Sequence, residues 1–524
     1  MSQTEPSFPP IDTAAPLSDS ASANAGAPSR RRSSRGSAAT VTHPPRATPP
    51  SRQRSSRAKS QHNGHQDPYA TITALRHEIC PRFRTEVAGG AAPIRVMATM
   101  VRELQAQCRA LGLPEDVMAT EIVNRTIGDV DLRAVSPTDD GPEFVSLADD
   151  MGLALPGEVI GGRVSAGARY REIREKMLDF ERQLLARRWD MRMYDILGVG
   201  NPLLREMLHD FGESRWGYAP PVAQTFVSLG ALDGLDKFFR GYQMVRRAAG
   251  DQQLAVAFPA PGFNVPEWQA KSLGYRLHRL YTRPEDAFKV TPAMLQAALD
   301  EAPDLRAFYL TVSNNPTAFS YSPDELRALL DVVARADREL RVVADLAYVG
   351  TGDPAADRAR MAEFNRPSVL ERTVFVWSLS KTHTLTGDRC GWVVFGDAKL
   401  ASALTVGWAN TIASLPADWQ LRFMADLALF AEHPELQERI RALYRHRRER
   451  LVKQLERLDA KHHVFARVNL DDGGTVYNWS QLRPGQDVFT LFSTTGIAGV
   501  PGGAFGYSDD FVRLSVGCIP IPAV

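Results

Sequence analysis

Cysteine is scarce in this chain. Its 524 residues hold four, Cys80, Cys108, Cys390 and Cys518, and none forms a CxxC pair or stands with histidines at metal-ligand spacing. That excludes a disulfide scaffold and a zinc ribbon, and it fits a reducing cytoplasm. Long apolar runs are missing too. No stretch approaches the roughly 18 residues that a membrane helix needs, and the N-terminus lacks the apolar core of a secretion signal. A cytoplasmic protein without membrane attachment is expected. Nor does one sign of charge dominate: 62 Lys and Arg face 61 Asp and Glu, so no global field recruits nucleic acid or an acidic membrane. With no internal repeat either, the default ligand is a small molecule.

Residues 1–68 contain almost no large aliphatic or aromatic side chains and are rich in Ser, Pro, Ala and Arg. Such a segment buries too little surface to offset its ordering entropy and is expected to be disordered. Within residues 1–60, nine Lys and Arg face three acids, Glu5, Asp12 and Asp19. A basic arm for nucleic acid or a targeting segment is one reading of that excess. A solvated extension is the better one, because no groove-reading motif accompanies it.

Beyond this tail the chain is patterned. From about 69 to 140 the apolar spacing is helical, and ARYREIREKMLDFERQLLARRW repeats that pattern further on. After residue 220, short apolar strands (TFVSL, LAVAF, RAFYLTV, RVVADLA, TVFVWSL, CGWVVFG) alternate with helical stretches such as SPDELRALLDVVARA. Alternation of this kind predicts an α/β domain with a mostly parallel sheet, whose ligands sit at the carboxyl ends of the strands. From about 400, one long helical region leads into a short α+β part.

Four polar clusters fall at those strand ends. RAFYLTV runs into Ser313-Asn314-Asn315-Pro316-Thr317, RVVADLA carries Asp345 and leads to Tyr348, and TVFVWSL ends in Ser378-Leu379-Ser380-Lys381. Arg389 lies eight positions beyond that lysine. Each alone has an ordinary explanation: a turn, a satisfied polar group, a surface cation. Their shared location gives them weight. Ser378 to Lys381 also matches the SxxK of serine acyl-transferases, but the SDN and KTG elements of that chemistry are absent and Ser378 ends a predicted strand.

Together these residues resemble the class I/II aminotransferases, pyridoxal 5′-phosphate (PLP) enzymes of fold type I, over about residues 190 to 517. Asn315-Pro316-Thr317 is similar to the family's NPTG, Asp345 to Tyr348 to its DxAY, and Ser378 to Arg389 to its SxSK-x7-R. Upstream, Gly200 to Arg205, preceded by Tyr194, resembles GxPxLR. Downstream, Gly496 to Gly502, Phe505-Gly506 and Phe511 to Ser515 resemble the closing motif. The resemblance implies a mostly parallel central sheet with helices on both faces, plus a smaller α+β domain built from the N- and C-terminal parts. It also implies a division into a tail (1–68), a helical extension with part of the small domain (69–190), a large PLP-binding domain (191–400), and a long helix with the C-terminal small domain (401–524).

It implies roles as well. Lys381 carries PLP as a Schiff base and later moves a proton; Asp345 pairs with the pyridine nitrogen and keeps it protonated. Asn315 and Tyr348 donate to the ring's phenolate oxygen. Arg389, Ser378 and the turn Ser228-Leu229-Gly230-Ala231-Leu232 hold the phosphate, the last at a helix N-terminus. Arg513 clamps the substrate α-carboxylate, with Asn315 beside it, and Tyr194 reaches a neighbouring subunit's phosphate, which implies a homodimer. Three departures stand out. Ala318 replaces the NPTG glycine. Strict alignment puts Pro261 where an aromatic should stack on the cofactor ring, so Phe263 is the residue expected there. Eleven residues follow Arg513 where relatives continue with a helix, which predicts a small domain that is incomplete or closed differently. The expected activity is transfer of an amino group between an L-amino acid and a 2-oxo acid. Decarboxylation, elimination or oxidation by PLP is the alternative, with a PLP-fold regulatory protein behind it; that last reading needs a folded DNA-reading module.

Overall fold

The computed structural model describes residues 67–217, 220–470 and 476–517. The tail expected to be disordered, apart from its last two residues, lies outside them, and so does the chain beyond Gly517 on which the expectation for the small domain's closure rests.

Seven strands build the central sheet: β1 (Thr225–Leu229), β2 (Ala255–Ala260), β3 (Arg276–Tyr281), β4 (Leu305–Thr311), β5 (Arg341–Asp345), β6 (Thr373–Ser378) and β7 (Cys390–Phe395). Their spatial order is β1-β7-β6-β5-β4-β2-β3. β3, β2, β4, β5 and β6 run parallel, while β7 runs antiparallel to both β6 and β1. β-Branched residues such as Val342, Val343, Val374 and Val376 suit strands buried on both sides. Successive side chains point to opposite faces. Val343 accordingly joins the core with Phe238 and Leu404, whereas Val342 and Ala344 join the core with Leu330 and Met361. Helices therefore cover both faces, as expected.

β3 was not among the expected strands. Its sequence, RLHRLY, is charged and largely exposed because it forms the sheet edge, where water is on hand and charge discourages further pairing. The long helical region expected from about 400 is likewise three helices, Ala398–Ile412, Ala417–Glu432 and Glu435–His462, the last two parted at Pro434, which cannot continue the helix before it. The boundary expected at residue 400 falls inside the helix Ala398–Ile412.

The N-terminal helices α1 (Pro68–Ala88) and α2 (Pro93–Ala110) share one core with the C-terminal part. Asp67 caps α1 through its side chain, which accepts from Tyr69 N at 3.0 Å. Val123–Asn124 pairs in parallel with Ile497–Ala498. A second sheet is formed by β8 (Phe465–Arg467), β9 (Tyr477–Leu482), β10 (Val500–Pro501) and β11 (Phe511–Ser515), in the order β8-β9-β11-β10.

Candidate active site

Register assembles the site. Thr311 pairs with Asp345, Asp345 with Val376, Gly391 with Ser378, and Cys390 with Leu229. Because β7 is antiparallel, its first residues lie at the edge where β1, β4, β5 and β6 end. Arg389, just before β7, therefore meets Lys381, just after β6. A cavity of about 360 Å³ opens at this edge, and Asn315, Asp345, Tyr348, Ser378, Lys381, Arg389 and Arg513 all line it.

Lys381 sits on the single turn α3 (Leu379–Thr382), which Ser378 caps: its Oγ accepts from Ser380 N at 3.1 Å and donates to Cys390 O at 3.3 Å. Tyr444, on the helix Glu435–His462, donates its hydroxyl to the Lys381 carbonyl at 2.7 Å. The Lys381 amine donates to the carbonyl of Gly128. Asp345 is buried at the end of β5. Its Oδ1 accepts from Ala347 N at 3.0 Å and its Oδ2 from the Tyr309 hydroxyl at 2.5 Å. Burial pushes this carboxyl up from its ordinary value, and the two donors oppose the push. Tyr348 shares a hydrogen bond of 3.1 Å with the Tyr477 hydroxyl, and burial first, then Tyr477, pushes its phenol well up. It stays a neutral donor near neutral pH.

Arg513, on β11, is buried. It donates through Nη1 to Asn315 Oδ1 at 3.0 Å and through Nη2 to Thr126 O at 2.8 Å, and its guanidinium lies 4.4 Å from the centre of the Tyr477 ring. Nε meets no acceptor, and no carboxylate pairs with it among the described residues. A buried guanidinium without a carboxylate partner is able to take up an anion. Arg389 is alike: it donates to Thr386 O at 3.0 Å and Leu229 O at 3.3 Å, and pairs with no carboxylate among the described residues. Gly230 lies so close to it that a Cβ there would meet Arg389 Nη2 at 2.3 Å, and its φ of +83° is one that glycine tolerates. Gly230 opens the helix Ala231–Ala248, and Ala231 and Leu232 line the cavity beside Arg389.

Of the expected residues, Ser228, Leu229, Gly230 and Tyr194 stand off the cavity wall. Ser228 turns its hydroxyl to Gly230 O at 3.1 Å inside the fold, and Tyr194 is 82% exposed on a loop. Phe263 is on the wall, whereas Pro261 is held behind it, its carbonyl accepting from Asn314 Nδ2 at 3.0 Å. Several wall residues had not been expected: Ile94 of α2, Gly128, Asp129, Thr386 and Tyr477. The Gly128-Asp129 step reads only as a turn, and Tyr477 looks like any strand aromatic. The helical extension thus contributes to the cavity.

The donor set suits one cofactor. A buried carboxylate fits a heteroaromatic N–H, a lysine amine fits an aldehyde, and an unpaired arginine at a helix N-terminus fits a phosphate dianion. Fold and donor set together define a fold-type I enzyme built for PLP. Comparison with known proteins narrows the class: the chain belongs to the class I and II aminotransferases, whose family profile matches residues 241–520 and whose cofactor is PLP. LL-diaminopimelate aminotransferase of Maridesulfovibrio salexigens is 26% identical, the match covering 42% of this chain and 55% of the relative, so about half of that relative's length is spanned. Aspartate aminotransferase of Geobacillus stearothermophilus is 27% identical over 60% of this chain and 77% of its own. In fold, aspartate aminotransferase from Thermus thermophilus with maleate superposes with a TM-score of 0.57 at 20% identity, over 81% of this chain and 92% of that one.

Proposed function

We propose that this chain transfers an amino group between an L-amino acid and a 2-oxo acid. The observation that carries the reading is the meeting of Lys381, Asp345, Arg389 and Arg513 around one cavity, with both arginines free of carboxylate partners among the described residues. Bound PLP would supply an electron sink for the bond changes at the substrate's α-carbon. The chain's own residues do the rest. Arg513 takes the α-carboxylate and thereby orients the Cα–H bond toward Lys381, whose freed amine removes and returns the proton. Arg389 and the helix N-terminus at Ala231 and Leu232 hold the phosphate, with Ser378 close by. Asn315 and Tyr348 donate to the ring oxygen, Asp345 faces the ring nitrogen, and Phe263 packs against the ring.

The partner expected is a second copy of this chain. Met193, Tyr194 and Ile196 are 71%, 82% and 89% exposed on one loop, an apolar surface that association would cover. Tyr194 is then the residue offered to the neighbour's phosphate. No described helix is long and apolar enough to cross a membrane, and a cytoplasmic location fits the reduced, buried Cys80, Cys108 and Cys390.

The test is to mix purified, PLP-loaded protein with each amino acid and follow the cofactor's absorbance. Conversion to the pyridoxamine form, reversed by a 2-oxo acid, supports transamination. Carbon dioxide or ammonia released in every turnover, with no such conversion, overturns it.

A further inference from the structure

We infer that Tyr309 is a positioning residue for Asp345, setting where the proton rests between that carboxylate and the cofactor's ring nitrogen. The inference depends on the reading above, in which Asp345 faces that nitrogen.

Tyr309 lies on β4 and Asp345 on the neighbouring β5. Thr311 is the residue directly opposite Asp345, so Tyr309, two positions earlier, points to the same side of the sheet. Its ring is buried, 5.4 Å from that of Phe258. Its hydroxyl donates to Asp345 Oδ2 at 2.5 Å, while Ala347 N holds Oδ1 at 3.0 Å. One donor on each oxygen locks the carboxylate's orientation, and the capacity left over faces the cavity that Asp345 lines.

A second consequence is electronic. Donors to a carboxylate stabilise the anion and make it a weaker base. Where a carboxylate and a ring nitrogen share one proton, a weaker carboxylate base leaves the proton on nitrogen, and only the protonated ring withdraws charge well. Burial works the other way, pushing the Asp345 carboxyl up, and the Tyr309 hydroxyl opposes it. The Tyr309 phenol itself is pushed well above its ordinary value by burial first and by Asp345 next, so it remains a donor throughout the working pH range. An aromatic that only filled the core would need no oxygen.

The experiment loads the full chain with PLP carrying nitrogen-15 in its ring and reads the resonance that separates protonated from neutral nitrogen. In Tyr309→Phe, which removes one oxygen, that resonance is expected to move toward the neutral position. In parallel, kcat should fall about ten- to a hundred-fold with KM little changed, the scale of one hydrogen bond to a charged group. Placing 3-fluorotyrosine at position 309 keeps and strengthens the donor, so the nitrogen should be at least as protonated as in the wild type; this arm carries the test if the Phe variant does not fold. A Tyr309→Phe protein with wild-type resonance and kcat, or a fluorotyrosine protein with a less protonated nitrogen, overturns the inference. Asp345→Asn separates the two levels. If it displaces the resonance and Tyr309→Phe does not, only the role of Tyr309 fails; if Asp345→Asn leaves it unmoved, the reading of Asp345 fails.

Discussion

Arg447 and Asp140 form a two-pronged ion pair in which Nε and Nη2 each reach one carboxylate oxygen at 2.8 Å, with neither side chain exposed. Arg447 lies midway along the helix Glu435–His462, and Asp140 on the irregular segment after Gly128. Nη1 also donates to Val516 O at 3.3 Å and Gly517 O at 2.6 Å, just past β11. One guanidinium thus ties the N-terminal segment and the strand bearing Arg513 to the long helix.

Removing one member of such a pair strands the other charge out of water. Asp140→Asn is expected to lower stability by about 3–5 kcal/mol, read from the urea midpoint. The double variant Asp140→Leu with Arg447→Met should lose less than either single variant. Unchanged midpoints in both single variants would show that the pair contributes nothing to the fold.

Lys381→Ala should lose both the borohydride-reducible link to PLP and nearly all turnover, because no other lysine lines the cavity among the described residues. Mass spectrometry after reduction checks the link. A PLP adduct on another residue together with near-normal turnover contradicts the assignment.

Arg513→Lys keeps the charge but loses the planar fork. For the best amino acid, kcat/KM is expected to fall about ten- to a hundred-fold, as for loss of a charged hydrogen bond. The matching amine without a carboxylate should change little. Equal losses on the two substrates would mean that Arg513 does not grip the α-carboxylate.

Burial pushes the Cys80 thiol up to about 11, with Arg84 the largest opposing influence, and burial also raises Cys108 and Cys390. Thiolate is the reactive form, and a raised pKa keeps it scarce at neutral and mildly alkaline pH. Alkylation mapped by mass spectrometry should therefore spare all three until denaturant is added. Rapid native labelling of Cys80 would contradict its placement.

Much of the site was legible because its chemistry sits within a few residues of strand ends. Asn315, Asp345, Ser378 and Lys381 lie at or just after the ends of apolar runs whose direction puts their carboxyl ends together, and Arg389 immediately precedes one. Phe263 could be named only as the nearest aromatic, and the fold put it on the wall. Tyr309 was hidden: inside RAFYLTV it looks like a core aromatic, and nothing local says that its oxygen meets Asp345.

The sequence alone determined the layered α/β fold and which polar residues gather at the strand ends around the cavity, because periodicity and strand-end polarity are local properties of the chain. Tertiary structure alone decided the rest of the wall. Gly128 and Asp129 reach the cavity because the chain beside them pairs with Ile497–Ala498, and Tyr477 because β9 lies beside β11 opposite Ser515. Contacts between segments hundreds of residues apart depend on how whole layers pack, and no local pattern encodes them.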